Sequence, residues 1–254
     1  MSIKYISQKL AQQALEIDEE LMSSAGAFSL DQLMELAGLS CAQALAKSFP
    51  IRTHKRVLGG DGLVAARHLY MFHYKPTIYL PKAGSKDIYK RLLTQCENLK
   101  IPVVDGTDEF RSALKENDVI LDAIFGMVTL LFLVVSDHAA GFSFHPPLRA
   151  PFHTVLKAIK ASSLPILSVD IPSGWSVTDG PQPLSTEEDE DGHSETVETF
   201  DPEVLISLTV PKEGVRGFKG RHWLGGRFVP EELDKKFELN LPTYEDVDQI
   251  VELS

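Results

Sequence analysis

Three short segments carry residues able to do chemistry. The first is Gly59-Gly60-Asp61-Gly62, directly ahead of an apolar helical stretch at 63–72. Glycines before a helix N-terminus let backbone N–H groups approach a phosphate, and the helix dipole favours the anion. The same tetrapeptide is also an ordinary turn with a helix cap. The second is Asp122 in LDAIFG (121–126), echoed by Gly141-Phe142-Ser143-Phe144. The third is Asp170-Ile171-Pro172-Ser173-Gly174-Trp175. An apolar strand ending in Asp delivers a carboxylate to the carboxyl edge of a sheet, where open α/β sheets bind their ligands. A lone strand-end Asp also serves as a turn cap. Two such aspartates beside a glycine loop point to a site.

Positioning those residues requires strands that alternate with helices, and the chain has that pattern. At the N-terminus, 11–22 reads as a helix with Leu15, Ile17 and Leu21 on its apolar face. A second helix spans 29–46, opened by the capping-box pair Ser29 and Gln32 and stopped before Pro50. Strands are predicted at 76–80, 101–104, 118–125 and 165–171, with helices at 86–100, 108–116 and 151–161. Later strands at 204–210 and 223–228 are expected at the sheet edge. Val57 and Leu58 alone read as too short for a buried central strand, which typically has about 5–6 residues. Alternation with near-continuous apolar strands predicts one domain over 1–254. It is a Rossmann-like three-layer αβα sandwich with a mostly parallel central sheet and an N-terminal helical extension.

Composition narrows the partners. The 254 residues carry a formal net charge of -11, which argues against a broad nucleic-acid surface. A small nucleotide needs only a local nest of N–H groups. Cys41 and Cys96 form no C-x-x-C pattern, so buried free thiols are expected, with no disulfide framework or zinc site. The N-terminus lacks an apolar leader, and Glu16, Asp18, Glu19 and Glu20 follow soon after, so a cytoplasmic location is expected. Seven acidic residues in 185–200 predict a solvated, disordered loop. The uncharged run between Asp122 and Ser136 has thirteen residues, short of the roughly 18 that span a bilayer.

The segments GGDGLVAARHL (59–69), LDAIFG (121–126), FSFHPPLRAPF (142–152), SVDIPSGW (168–175), LISLTVPK (205–212) and LGGRFVP (224–230) occur in this order. Together with MELAGLS (34–40), they resemble the NAD(P)H-hydrate epimerases, also known as the YjeF N-terminal domain or apolipoprotein A-I-binding protein family. The resemblance covers most of the chain. It implies an isomerase that interconverts the R and S forms of NADHX and NADPHX for an ATP- or ADP-dependent dehydratase. It also implies a homodimer and, besides the cytoplasm, a mitochondrial location. Asp170 corresponds to the catalytic carboxyl. Asp122 and Ser173 correspond to ligands of a potassium ion (K+). The substrate contacts correspond to Gly59, Gly60, Asp61, Gly126, Gly141, Phe142, Ser143, Phe144, His145, Pro146, Pro147 and Asp170. His145 stands where many relatives carry a lysine.

Two departures stand against that pattern. The family's phosphate loop reads G-x-G-N-N-G-G-D-G after an apolar strand, whereas here Lys55-Arg56-Val57-Leu58 runs straight into Gly59. Both asparagines are missing, one of which the resemblance assigns to the potassium ion. Conversely, MVTLLFLVVSDHAAG (127–141) intervenes where the family joins DAIFG almost directly to FSF, and its unpatterned hydrophobicity reads as translated intron sequence. The missing asparagines leave a non-catalytic binding or dimerisation module of the same fold as the alternative. A dehydrogenase is disfavoured by the absence of G-x-G-x-x-G with an acid about 20 residues on. The chain ends at Ser254, so no dehydratase domain is expected on it.

Overall fold

The computed structural model describes residues 3–5, 11–60, 62–124, 147–187 and 193–253. Asp61, Gly126, Gly141, Phe142, Ser143, Phe144, His145 and Pro146 lie outside the described residues, as do the apolar stretch 127–141 and residues 188–192 of the acidic stretch.

Two helices come first, α1 (Ala11–Met22) and α2 (Leu30–Ser48). The capping box forms as predicted. Ser29 Oγ accepts from the Gln32 amide at 3.2 Å, and Gln32 Oε1 accepts from the Ser29 amide at 2.8 Å. Alternation then follows: β1 (Arg56–Gly59), α3 (Leu63–Met71), β2 (Lys75–Tyr79), α4 (Asp87–Asn98), β3 (Val103–Val104), α5 (Thr107–Glu116) and β4 (Val119–Asp122). After these come α6 (Phe152–Ala161), β5 (Ile166–Val169), the short pair β6 (Leu184–Ser185) and β7 (Thr196–Val197), and β8 (Val204–Leu208). The chain closes with β9 (Arg221–Gly225), α7 (Glu231–Phe237) and β10 (Ile250–Leu253).

The main sheet has eight strands in the order β10-β9-β8-β5-β4-β1-β2-β3. All neighbours are parallel except β9 and β10. The chain winds outward from β1 through β2 to β3, then returns to β4 and winds the other way. The topological switch point is therefore the gap between the carboxyl ends of β1 and β4.

Strand residues alternate between two buried layers. Val57, Val119, Leu121, Leu167, Val169 and Ile206 face α2 and α3, packing on Ala37, Cys41, Leu45, Ala65 and Leu69. Leu58, Ile120 and Ile166 face α5 and α6, packing on Phe110, Leu114, Val155, Leu156 and Ile159. Burial on both faces explains why these strands are apolar throughout. Among the described residues, no helix is long and apolar enough to cross a membrane. Cys41 and Cys96 are buried free thiols.

Three expectations are corrected. Val57 and Leu58 do belong to a central strand, because Arg56 and Gly59 extend it and β2 and β4 pair with it on both sides. Backbone partners on two sides stabilise a strand too short to hold by side-chain burial alone. The strands at 204–208 and 221–225 are not at the edge, since β10 pairs beyond them. The acidic stretch is ordered at its ends: β6 pairs with β7, and Val197 and Phe200 are buried against the α5–α6 layer.

Candidate functional site

Asp122 ends β4 at the switch point and is 1% exposed. Its Oδ2 accepts from Ser168 Oγ at 2.7 Å and from the Ser173 amide at 2.8 Å. Its Oδ1 accepts from Ser173 Oγ at 2.5 Å. Ser168 is the register partner of Asp122 on β5, so the neighbouring strand presents its hydroxyl directly. The sequence motif in 170–175 thus folds back so that Ser173 ties the turn to β4. Gly174 makes that turn possible, with φ +97 and Leu184 and Thr199 where a Cβ would project. Burial pushes the Asp122 carboxyl up, and the bonds from Ser173, Ser168 and the Ile124 amide pull it part of the way back.

Asp170 follows β5 by one residue and is 3% exposed. Its φ of 65° is in the left-handed region, which Asp and Asn tolerate better than most side chains. Its Oδ1 accepts from Lys212 Nζ at 2.6 Å and from the Leu208 amide at 3.2 Å. Burial pushes this carboxyl up as well, opposed by the Lys212 charge and both hydrogen bonds. Lys212 is itself 2% exposed. The two acids therefore sit at the ends of adjacent strands but are held differently. Asp122 is held by neutral donors of the 168–173 segment, and Asp170 by an ammonium that follows β8.

The glycine loop is beside them. Gly59 ends β1, and the Gly60 amide donates to the Leu121 carbonyl at 3.2 Å. A Cβ on Gly60 would sit 3.2 Å from the Ala123 and Ile124 backbone, so glycine lets this loop close onto the segment after Asp122. Gly62 then leads into α3. Pro147 is exposed, next to buried Leu148, whose amide bonds to the Ser185 carbonyl at 2.8 Å on the β6 side.

Sequence reasoning missed Ser168, Lys212 and Asp18. Asp18 is 4% exposed on α1 and is coupled by charge to Lys212 and Asp170. The available signals were modest. Asp18 borders the apolar stripe made by Ile17 and Leu21, and Lys212 closes an otherwise apolar run (LISLTVPK) at a strand tip. A charge placed among residues due for burial needs a partner.

A doubly wound α/β domain with buried carboxylates beside a glycine loop at its switch point defines a class of proteins that hold small molecules at the strand tips. Known proteins narrow the class. Residues 30–214 match the family described as YjeF-related protein N-terminus, and the chain belongs to that family. It is 65% identical to the NAD(P)H-hydrate epimerase of Cryptococcus neoformans var. neoformans serotype D, over all of this chain and 98% of that protein. The alignment runs over 263 positions, so that relative has residues for which this chain has none. The NAD(P)H-hydrate epimerase of Schizosaccharomyces pombe is 45% identical over 100% of this chain and 97% of that protein. The crystal structure of yeast ynu0 (YNL200c) is 35% identical, covers 99% of this chain and 100% of its own, and superposes with a TM-score of 0.79.

Proposed function

We propose that the chain is an NAD(P)H-hydrate epimerase that interconverts the R and S hydrates of NADH and NADPH at the carboxyl edge of β1, β4 and β5. The observation that carries this reading is the full-length 65% identity to a protein of that name, and retention of both strand-tip acids agrees with it. In such a hydrate, the hydroxyl is on the ring carbon next to nitrogen. The nitrogen lone pair assists loss of the hydroxyl, which leaves as water after taking a proton. The ring becomes a planar cation, and water returns to either face and gives up a proton. A buried carboxylate stabilises that cation and passes the proton. Asp170 is the candidate, since Lys212 and the Leu208 amide hold one carboxylate oxygen in a fixed direction. Gly59, Gly60 and Asp61, Gly126, and the 141–147 segment are the proposed nucleotide contacts.

The donor chemistry around Asp122 fits a potassium ion. Its carboxylate is buried, and no cationic side chain pairs with it among the described residues. Asp122 and Ser173 would hold the ion with oxygen alone, as suits a hard cation. When bound, it would supply the positive charge that this acid lacks and stiffen the 170–175 turn against β4. We extend the proposal to a homodimer acting ahead of an NAD(P)HX dehydratase, in the cytoplasm and mitochondrion.

The test is epimerisation of the R hydrate, coupled to a dehydratase specific for the S form. Asp170→Asn keeps the left-handed backbone and removes the charge, so the rate is expected to fall by about 10²-fold or more. An unchanged rate removes Asp170 from the mechanism. A chain with the G-x-G-N-N-G-G-D-G loop restored and 127–141 deleted is expected to exceed this one in kcat/KM. Each recovered contact to a charged phosphate contributes about 1.5–3 kcal/mol.

A further inference from the structure

The amino edge of the sheet, opposite Asp122 and Asp170, holds a cavity of about 360 Å³. That volume is within the range of about 300–1,000 Å³ usual for small-molecule sites. Its wall includes the first residues of β1 and β2, Arg56 and Lys75, and Lys100 from the turn between α4 and β3. The chain carries 36 acidic residues to 25 lysines and arginines. Surface cations elsewhere find carboxylates, as Lys47, Arg91, Lys157 and Arg221 do. Among the described residues, Arg56, Lys75 and Lys100 have no such partner, and Arg56 donates instead to the Glu116 backbone carbonyl at 3.1 Å. Asp118 is occupied by the Lys55 and Arg56 amides at 2.9 and 2.8 Å. Three cations thus face one carboxylate, that of Glu116, around the cavity.

These cations are not needed to cap the helices that end at this edge. After α3, the His73 and Tyr74 amides donate to the Tyr70 and Leu69 carbonyls, both at 2.9 Å. After α4, the Lys100 and Ile101 amides donate to the Glu97 and Cys96 carbonyls at 2.8 and 3.1 Å. Both turns therefore close by backbone bonds alone. Lys100 makes its turn at φ 57, a left-handed position that ordinarily takes glycine. Asn117 adds an independent signal. It is 8% exposed, and its Nδ2 donates to the Ala113 carbonyl of α5 at 2.7 Å. That bond fixes the amide and leaves Oδ1 buried without a donor, in a residue of the cavity wall. An acceptor in that state is costly until an N–H or O–H reaches it. Two aromatic residues complete the wall. Tyr74 is anchored by its hydroxyl on the Phe49 carbonyl at 2.8 Å, while Tyr70 is 42% exposed.

We propose that this cavity is a second ligand site, remote from the catalytic edge, for a phosphate monoester carried on an aromatic base and a sugar: a mononucleotide. Such a phosphate is close to a dianion at neutral pH, its second pKa being about 6, and so matches the excess of cations. Tyr70 offers the base a face to stack on. A sugar hydroxyl supplies the donor that Asn117 Oδ1 lacks. The site binds without making or breaking a bond, and it does not rest on the epimerase reading.

The probe is AMP, with adenosine and inorganic phosphate as its two halves, each titrated by NMR into the full-length protein near neutral pH. Amide signals of 74–77 and 100–102 are expected to shift and saturate with AMP, and the affinity to fall as salt rises. Each half alone is expected to bind roughly tenfold more weakly or worse. Lys100→Gly removes the ammonium and suits the left-handed backbone, so it is expected to fold as stably as wild type and to bind AMP roughly tenfold more weakly. Lys75→Gln, at an exposed strand end, is expected to weaken AMP similarly. Shifts confined to 59–60 and 168–174 would place AMP at the catalytic edge and overturn the inference. So would an affinity unchanged in both variants, or no shift at roughly 10 mM AMP. Inorganic phosphate that binds as tightly as AMP overturns the mononucleotide assignment, since base and sugar would then contribute nothing. None of these readouts involves turnover, so their failure is distinct from a failure of the epimerase reading.

Discussion

Replacing Lys212 by methionine tests the charge balance at the strand tips. The substitution keeps the buried stem and removes the ammonium, leaving the Asp170 carboxylate buried and the Leu208 and Val210 carbonyls without their donor. Breaking a buried pair by deleting one partner costs about 3–5 kcal/mol. The cost has a ceiling, because Asp170 takes up a proton once holding the naked charge becomes dearer. Protonating an ordinary carboxyl at neutral pH, roughly three pH units above its usual value, costs about 4 kcal/mol, and about 1.4 kcal/mol less for each unit the pH is lowered. Urea unfolding should therefore find Lys212→Met destabilised by about 3–5 kcal/mol near pH 7, and by distinctly less near pH 5. Adding Asp170→Asn should recover about 2–3 kcal/mol, a coupling expected of contacting residues. Strict additivity of the two substitutions, or a penalty equal at both pH values, would refute the reasoning.

Other consequences are as direct. The folded-state value for Asp18, about 7, lies above its ordinary 3.8. The native state thus binds an extra proton between those values, and this group's contribution to stability falls as pH rises from about 4 to about 7 and then levels. The drop is on the order of 4 kcal/mol, and Asp18→Asn should flatten that part of the stability–pH curve; parallel curves for the two proteins would contradict it. Potassium in place of sodium at equal ionic strength should raise stability by about 1–3 kcal/mol at saturation. A melting series in which Asp122→Asn responds to potassium as wild type does would exclude Asp122 as a ligand. A Cβ at Gly38 of α2 would lie 2.4 Å from Val64 Cγ1 of α3. Gly38→Ala should accordingly cost about 1–3 kcal/mol in urea unfolding, and an unchanged midpoint would mean that the two helices are not in close contact there.

The sequence alone determined much of this molecule, because the signals involved are local. The capping box at Ser29 and Gln32 needs residues only three positions apart, and it formed as read. Apolar runs ending in Asp122 and near Asp170 announced strands with acids at their tips, and both acids are there. The tertiary structure decided what those acids do with their charge. Ser168 reaches Asp122 across 46 residues, and Lys212 reaches Asp170 across 42. No periodicity within a strand or helix encodes which distant element arrives alongside. The same limit applies to β1, whose four residues look inadequate alone and hold because β2 and β4 hydrogen-bond to both of its sides. It applies equally to Asp18, one more helix-face acid in the sequence, whose carboxyl is pushed up only when folding buries it.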